Sequence, residues 1–286
     1  MQRWRGPAVF IALCPGWLVP AHAAQVPETV TFASRDGKTQ LTGYLYQPQA
    51  PGPHPALVLL HGRSGAYSSL KRGTYTAETL TLRHRMWGNF WAERGYVALL
   101  VDSFGPRGYP EGFALHSYQS RPPEVSEQTV RPLDAYGALD FLRARGDVIR
   151  DRIGVHGWSN GGMTVLAAIG MNAPGLADPT PASGFRAALA QYPSCRVQQR
   201  RGDYRPYAPL LMLVAGDDDE VSPRICQELA SVLTTRGAAV EFVTYENAQH
   251  AYDDPGTTKQ SREGNRRALE DTLRRAEAFF SRHLRF

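Results

Sequence analysis

Short apolar runs recur along the chain and alternate with longer segments of mixed polarity. Ala56-Leu57-Val58-Leu59-Leu60, Tyr96-Val97-Ala98-Leu99-Leu100-Val101 and Leu210-Leu211-Met212-Leu213-Val214-Ala215 are the clearest. Continuous apolar runs of this length are the mark of strands covered on both faces. Val30-Thr31-Phe32 and Leu41 to Tyr46 predict two antiparallel strands around the turn Asp36-Gly37. Arg152 to His156, Phe185 to Ala190 and Val240 to Tyr245 predict three more strands. Helices are expected over Arg85–Arg94, ending at Gly95, and over Ile225–Thr235 and Arg266–His283. A further amphipathic helix is expected over Leu133–Arg145, with Leu133, Tyr136, Leu139, Phe141 and Leu142 mostly inward. Strands that alternate with helices in this way predict an α/β protein with a mostly parallel, doubly wound sheet and helices on both faces. Neither an internal repeat nor a second composition zone divides it. Asp102 to Pro132 is left as a long loop rich in Gly, Pro, Tyr and Arg, and loops of that length tend to serve function.

The first residues do not belong to this pattern. Met1-Gln2-Arg3-Trp4-Arg5 is basic, Val9 to Val19 is largely apolar, and Ala21-His22-Ala23 has the A-x-A form of a cleavage site. Residues 1–23 therefore read as a secretory signal peptide, and 24–286 as a single domain. Pro15 and Gly16 interrupt the apolar run, which is too short for a membrane anchor. The expected destination is periplasmic or secreted, with no membrane association after cleavage.

Composition adds three points. Formal net charge is +5, and the leader carries Arg3 and Arg5 without an acid, which leaves +3 on the remaining chain. Part of that excess is Arg266, Arg267, Arg274, Arg275, Arg282 and Arg285, which read as a solvated helix face and not as a nucleic-acid surface. Cleavage removes Cys14 and leaves Cys195 and Cys226. An exported chain with an even pair permits a disulfide. It is expected here, because the strands before these residues should be neighbours; two buried thiols are the alternative. No cysteine or histidine spacing suits a metal.

The chemistry concentrates at Gly157-Trp158-Ser159-Asn160-Gly161, a G-x-S-x-G between a predicted strand and a predicted helix. A sharp strand-to-helix turn there would push the Ser159 hydroxyl out over the sheet. A serine hydroxyl needs a histidine to take its proton and an acid to orient that histidine. In chain order the acid should follow the strand ending at Ala215, where Gly216-Asp217-Asp218-Asp219-Glu220 offers four carboxylates. Asp219 is the expected acid, ahead of Asp218, since a few residues are needed to swing the chain out of the strand. His250, after the last strand, is the expected base. His156 reads as a core histidine. Backbone N–H groups of Asn160 and of Arg63, in the loop after His61-Gly62, are the expected oxyanion donors.

These pieces carry a resemblance. Leu60-His61-Gly62, Gly95-Tyr96-Val97, the segment Asp102 to Gly108, Gly157 to Gly162, Gly216 to Asp219 with Val221 and Pro223, and Gln249-His250-Ala251-Tyr252 resemble the dienelactone hydrolase family of the α/β-hydrolase fold. The namesake enzymes carry cysteine at the elbow, where this chain has Ser159. The resemblance therefore implies ester hydrolysis but not the thiolate chemistry that opens dienelactones. The expected activity is that of an exported serine hydrolase acting on small carboxylic esters through an acyl-enzyme, with no metal or organic cofactor. Two rivals remain: a serine peptidase similar to the prolyl oligopeptidase class, and a non-catalytic binding protein on the same fold. Neither the particular ester nor the oligomeric state is legible.

Overall fold

The computed structural model describes residues 25–285; the expected leader 1–23 and its cleavage point lie outside the described residues. The chain opens with strands β1 (Glu28–Ala33), β2 (Gln40–Tyr46) and β3 (His54–Leu60). Helix α1 (Leu82–Glu93), strand β4 (Val97–Asp102), helix α2 (Arg131–Arg143), strand β5 (Val148–Trp158) and helix α3 (Asn160–Ala168) follow. Next come β6 (Ala188–Gln191), α4 (Arg196–Arg201), β7 (Leu210–Ala215) and α5 (Pro223–Thr235). The remainder is β8 (Val240–Tyr245), the short α6 (Thr257–Gln260) and α7 (Glu263–Leu284).

All the strands join one sheet in the order β1-β2-β4-β3-β5-β6-β7-β8. β2 pairs antiparallel with both β1 and β4, and every other pairing is parallel. The sheet is buried on both sides because its central strands alternate between two apolar layers. Ala56, Val58 and Leu60 of β3 face the layer that holds Leu139, Leu142, Val165, Leu166, Leu229 and Leu233 from α2, α3 and α5. Leu57 and Leu59 face the opposite layer, with Trp87, Trp91, Phe279 and Phe280 from α1 and α7. This is why the strands carry unbroken apolar runs instead of alternating ones.

Several boundaries differ from expectation for local reasons. α2 begins at Arg131, so the preceding loop ends before Pro132. Proline's fixed φ and missing N–H suit the first turn of a helix, and Pro223 opens α5 in the same way. Phe185 to Ala187 leads into β6 as a connector whose backbone still bonds to β5, through Arg186 N–H to the Ile153 carbonyl at 2.8 Å. The helices α4 and α6 are too short to leave a periodic signal. No described helix is long and apolar enough to cross a membrane.

Candidate active site

Parallel strands place their following loops on one edge of the sheet. Leu60-His61-Gly62-Arg63 leaves β3, Ser159 leaves β5, Gly216 to Glu220 leaves β7, and His250 lies beyond β8. Residues nearly two hundred positions apart thus share one rim.

Ser159 has φ 54° and ψ −114°, a backbone conformation that costs a non-glycine residue about 1–3 kcal/mol. The surroundings hold it there. Its N–H donates to the Gln191 carbonyl at 2.9 Å, and the next residues enter α3 directly. The flanking glycines are needed for close approach: a Cβ on Gly157 would meet the Gly161 oxygen at 2.3 Å, and one on Gly161 would meet the Leu60 oxygen at 1.9 Å.

His250 Nε2 lies 2.9 Å from Ser159 Oγ, and its Nδ1 lies 2.8 Å from Asp218 Oδ2. The structure therefore brings Asp218 to the histidine where Asp219 was the expected residue. The reason is a local turn. Asp218 Oδ1 accepts the N–H groups of Glu220 and Val221, each at 2.9 Å, which aims Oδ2 inward with the side chain 1% exposed. Asp219 is exposed, and Asp217 is turned to Arg262, the residue just before α7.

The imidazole is supported from behind. The Tyr192 ring packs edge-on at 4.8 Å, and its hydroxyl donates to Asp253 at 2.5 Å. Asp253 is buried, accepts the Trp87 indole N–H at 2.8 Å and lies 3.3 Å from Arg83. Lys259 donates to the His250 carbonyl at 2.8 Å.

Asn160 follows Ser159 directly, and Gly62, just before Arg63, lies against the serine, where a Cβ would be 3.6 Å from Ser159 Cβ. Asn160 is the first residue of α3, so its N–H has no partner inside the helix. Among the described residues the Arg63 N–H also donates to no backbone carbonyl, which leaves both groups free to meet an oxyanion. His61 holds this loop from below. Its Nε2 accepts the Ser103 N–H at 3.2 Å, so Nδ1 carries the proton and donates to the Gly62 carbonyl at 2.8 Å. Burial, reinforced by Arg131, pushes the His61 imidazole well below its ordinary value and keeps it neutral.

Sequence reasoning offered Glu220 only as one of four candidate acids and gave it no role beside Arg63. Its carboxylate takes two hydrogen bonds from the Arg63 guanidinium, at 3.0 and 3.1 Å, and its Oε2 also sits 3.5 Å from His250 Nε2. Burial alone would push this carboxyl up. The Arg63 hydrogen bonds and the facing charges of His250, Arg63 and Lys259 outweigh it and leave the group below its ordinary value. No motif marks a glutamate two residues beyond the acid.

His156 lies under the elbow as a core histidine. It is buried, 2.5 Å from Gln191 Oε1 and edge-on to Trp87 at 4.7 Å. Cys195 and Cys226 are joined by a disulfide with their Cα atoms 5.1 Å apart. The bond ties the segment after β6 to α5, the helix that follows the Asp218 loop. Among the described residues no cluster of three His, Cys, Asp or Glu side chains suits a metal ion.

The chain's likenesses point to the same fold. Residues 41–284 match the model of the dienelactone hydrolase family. A dienelactone hydrolase-like promiscuous phosphotriesterase from metagenomic libraries superposes with TM-score 0.63 at 19% identity, covering 91% of this chain and 99% of that one. An esterase of Thermogutta terrifontis with bound propionate gives TM-score 0.60 at 20% identity, covering 90% and 94%. The same organism's esterase 2 phosphonylated by sarin gives 0.62 at 17%, covering 93% and 98%. Dipeptidyl peptidase 8 of Homo sapiens is 32% identical over 149 residues, which are 50% of this chain and 15% of that much longer protein.

Proposed function

This chain belongs to the dienelactone hydrolase family, and on that premise we propose that it is a serine hydrolase of small carboxylic esters. One observation carries the reading: a strained Ser159 whose Oγ meets His250 Nε2 at 2.9 Å, while Asp218 holds the other ring nitrogen at 2.8 Å. Ser159 attacks the ester carbonyl as His250 takes its proton, and Asp218 holds the imidazole in the required tautomer. The Arg63 and Asn160 N–H groups receive the negative charge that develops on the carbonyl oxygen. His250 then gives its proton to the leaving alcohol, and an acyl group stays on Ser159. Water, activated by the same histidine, releases the acid and restores the serine. No step calls for a metal or an organic cofactor. Export by the leader over residues 1–23 is part of the proposal, and the Cys195–Cys226 bond suits an oxidising compartment.

The experiment is active-site labelling followed by a substrate panel. A fluorophosphonate probe is expected to modify Ser159, and short-chain p-nitrophenyl esters to be turned over. A folded protein that takes no label is a binding protein instead. The stretch shared with dipeptidyl peptidase 8 favours a second reading, a peptidase. Peptide amides cleaved faster than esters of the same acyl group would establish that reading over ours.

A further inference from the structure

Arg131 is fully buried at the first position of α2, a place where the helix dipole disfavours a positive charge. A buried charge is tolerated when it is hydrogen-bonded; Nε of this one has no partner among the described residues, and the partners of its two terminal nitrogens are informative. One terminal nitrogen, Nη1, donates to the Asn160 side-chain oxygen, and the other, Nη2, donates to the His61 carbonyl at 2.9 Å. Asn160 supplies one oxyanion donor. His61 lies two residues before Arg63, which supplies the other. A single planar group therefore grips both segments that carry the expected donors, the start of α3 and the loop after β3.

Each limb is secured further. The Asn160 amide donates to Glu127 at 3.1 Å, which fixes the side chain that Arg131 holds. The Arg63 carbonyl accepts the Phe113 N–H at 2.8 Å, and Gly112 packs so closely there that a Cβ would lie 2.5 Å from that carbonyl oxygen. The guanidinium rests 4.9 Å above the Phe104 ring. The fork geometry of arginine is rigid, whereas a lysine ammonium is one point on a flexible stem and cannot hold two acceptors at a set spacing.

We propose that Arg131 is a positioning residue that sets the separation of the two oxyanion donors by clamping the Asn160 side chain and the His61 carbonyl together. This rests on the ester-hydrolase reading above. An oxyanion hole is effective because its donors are placed before charge develops, so loosening either one weakens the transition state more than the bound substrate.

The test uses purified residues 24–286 as wild type, Arg131→Lys, Asn160→Ala and the double variant. Folding is checked by near-ultraviolet circular dichroism and thermal melting. With a p-nitrophenyl ester, Arg131→Lys should lower kcat about 10²-fold while KM stays within about threefold. A boronic acid that mimics the tetrahedral state should bind weaker by a similar factor. The pH profile of kcat/KM should keep its shape, because Ser159, His250 and Asp218 are untouched. Asn160→Ala should act in the same direction, and the double variant should be no worse than the poorer single one. Asn160→Ala carries the test if Arg131→Lys does not fold. Near-normal kcat in a folded single variant, a loss confined to KM, or additive losses would overturn the clamp while leaving an active wild type as a hydrolase. A wild type that turns over no ester and takes no fluorophosphonate would overturn both.

Discussion

Glu220 Oε2 lies 3.5 Å from His250 Nε2, the nitrogen that faces Ser159. In the proposed mechanism His250 takes the serine proton, which would place positive charge beside a carboxylate held by Arg63. Charge stabilisation of that kind acts on the transition state. It is partial, since Glu220 is 17% exposed and shares its charge with the arginine. Glu220→Gln is expected to lower kcat about tenfold with little change in KM. Steady-state kinetics on an ester decides it, and an unchanged or raised kcat would remove Glu220 from the mechanism.

The two neighbouring acids should behave very differently. Asp218→Asn leaves the histidine in the wrong tautomer and should cost on the order of 10³–10⁴ in kcat. Asp219 is exposed, so Asp219→Asn should stay within about twofold of wild type. Ser159→Ala should abolish fluorophosphonate labelling and nearly all turnover without lowering the melting temperature much. Parallel rates and melting curves for the three variants test the assignment, and a severe loss in Asp219→Asn alone would reverse it.

The disulfide should matter for stability more than for chemistry. Cys195 and Cys226 are 31 positions apart and both buried. A loop of that size corresponds to roughly 3–4 kcal/mol in the chain-entropy model. Cys195→Ser with Cys226→Ser is expected to melt several degrees lower and to keep most ester turnover at low temperature. Titration of the unreduced, denatured 24–286 chain should find no free thiol; two free thiols would contradict the bond.

Acid should destabilise the protein before its carboxylates are lost. Burial pulls His84 down to about 4 and His156 down to about 3. In the unfolded chain both would titrate near the ordinary value of ~6.5. Above that value each is neutral in both states and adds no slope. Below it the unfolded state binds more protons, so stability falls as pH drops, by up to roughly 1.4 kcal/mol per unit for each histidine. The fall continues until the folded protein protonates as well. His84→Asn should flatten the melting temperature between about pH 6.5 and 4, while losing some stability at neutral pH where the ring packs near Trp158. An equally steep acid dependence in that variant would exclude His84 as a source.

The elements that bury apolar surface were open to reading from the residues because their pattern is local. A run such as Ala56 to Leu60 suits a strand covered on both faces, and the elbow turn closes because Gly157 and Gly161 carry no side chain. Ser159 and His250 were legible for a related reason: each follows a recognisable strand, and strand ends in a parallel sheet share an edge. The choice between Asp218 and Asp219 has no such local signature. Adjacent carboxylates in one loop differ by which way the backbone turns, and that turn forms when Asp218 Oδ1 accepts two N–H groups ahead of it. Glu220 and Arg131 were hidden for the same reason. A glutamate in an acidic loop and an arginine at the start of a helix look like solvated surface until folding packs Arg63, His250, Asn160 and His61 around them. Arg131 gave no hint, because the pattern placed it in the loop before a helix expected to start at Leu133, and only the structure puts it in the first turn. Periodicity specifies which face of an element is buried, but the partners of a buried charge come from distant parts of the chain, and their geometry exists only after those parts have met.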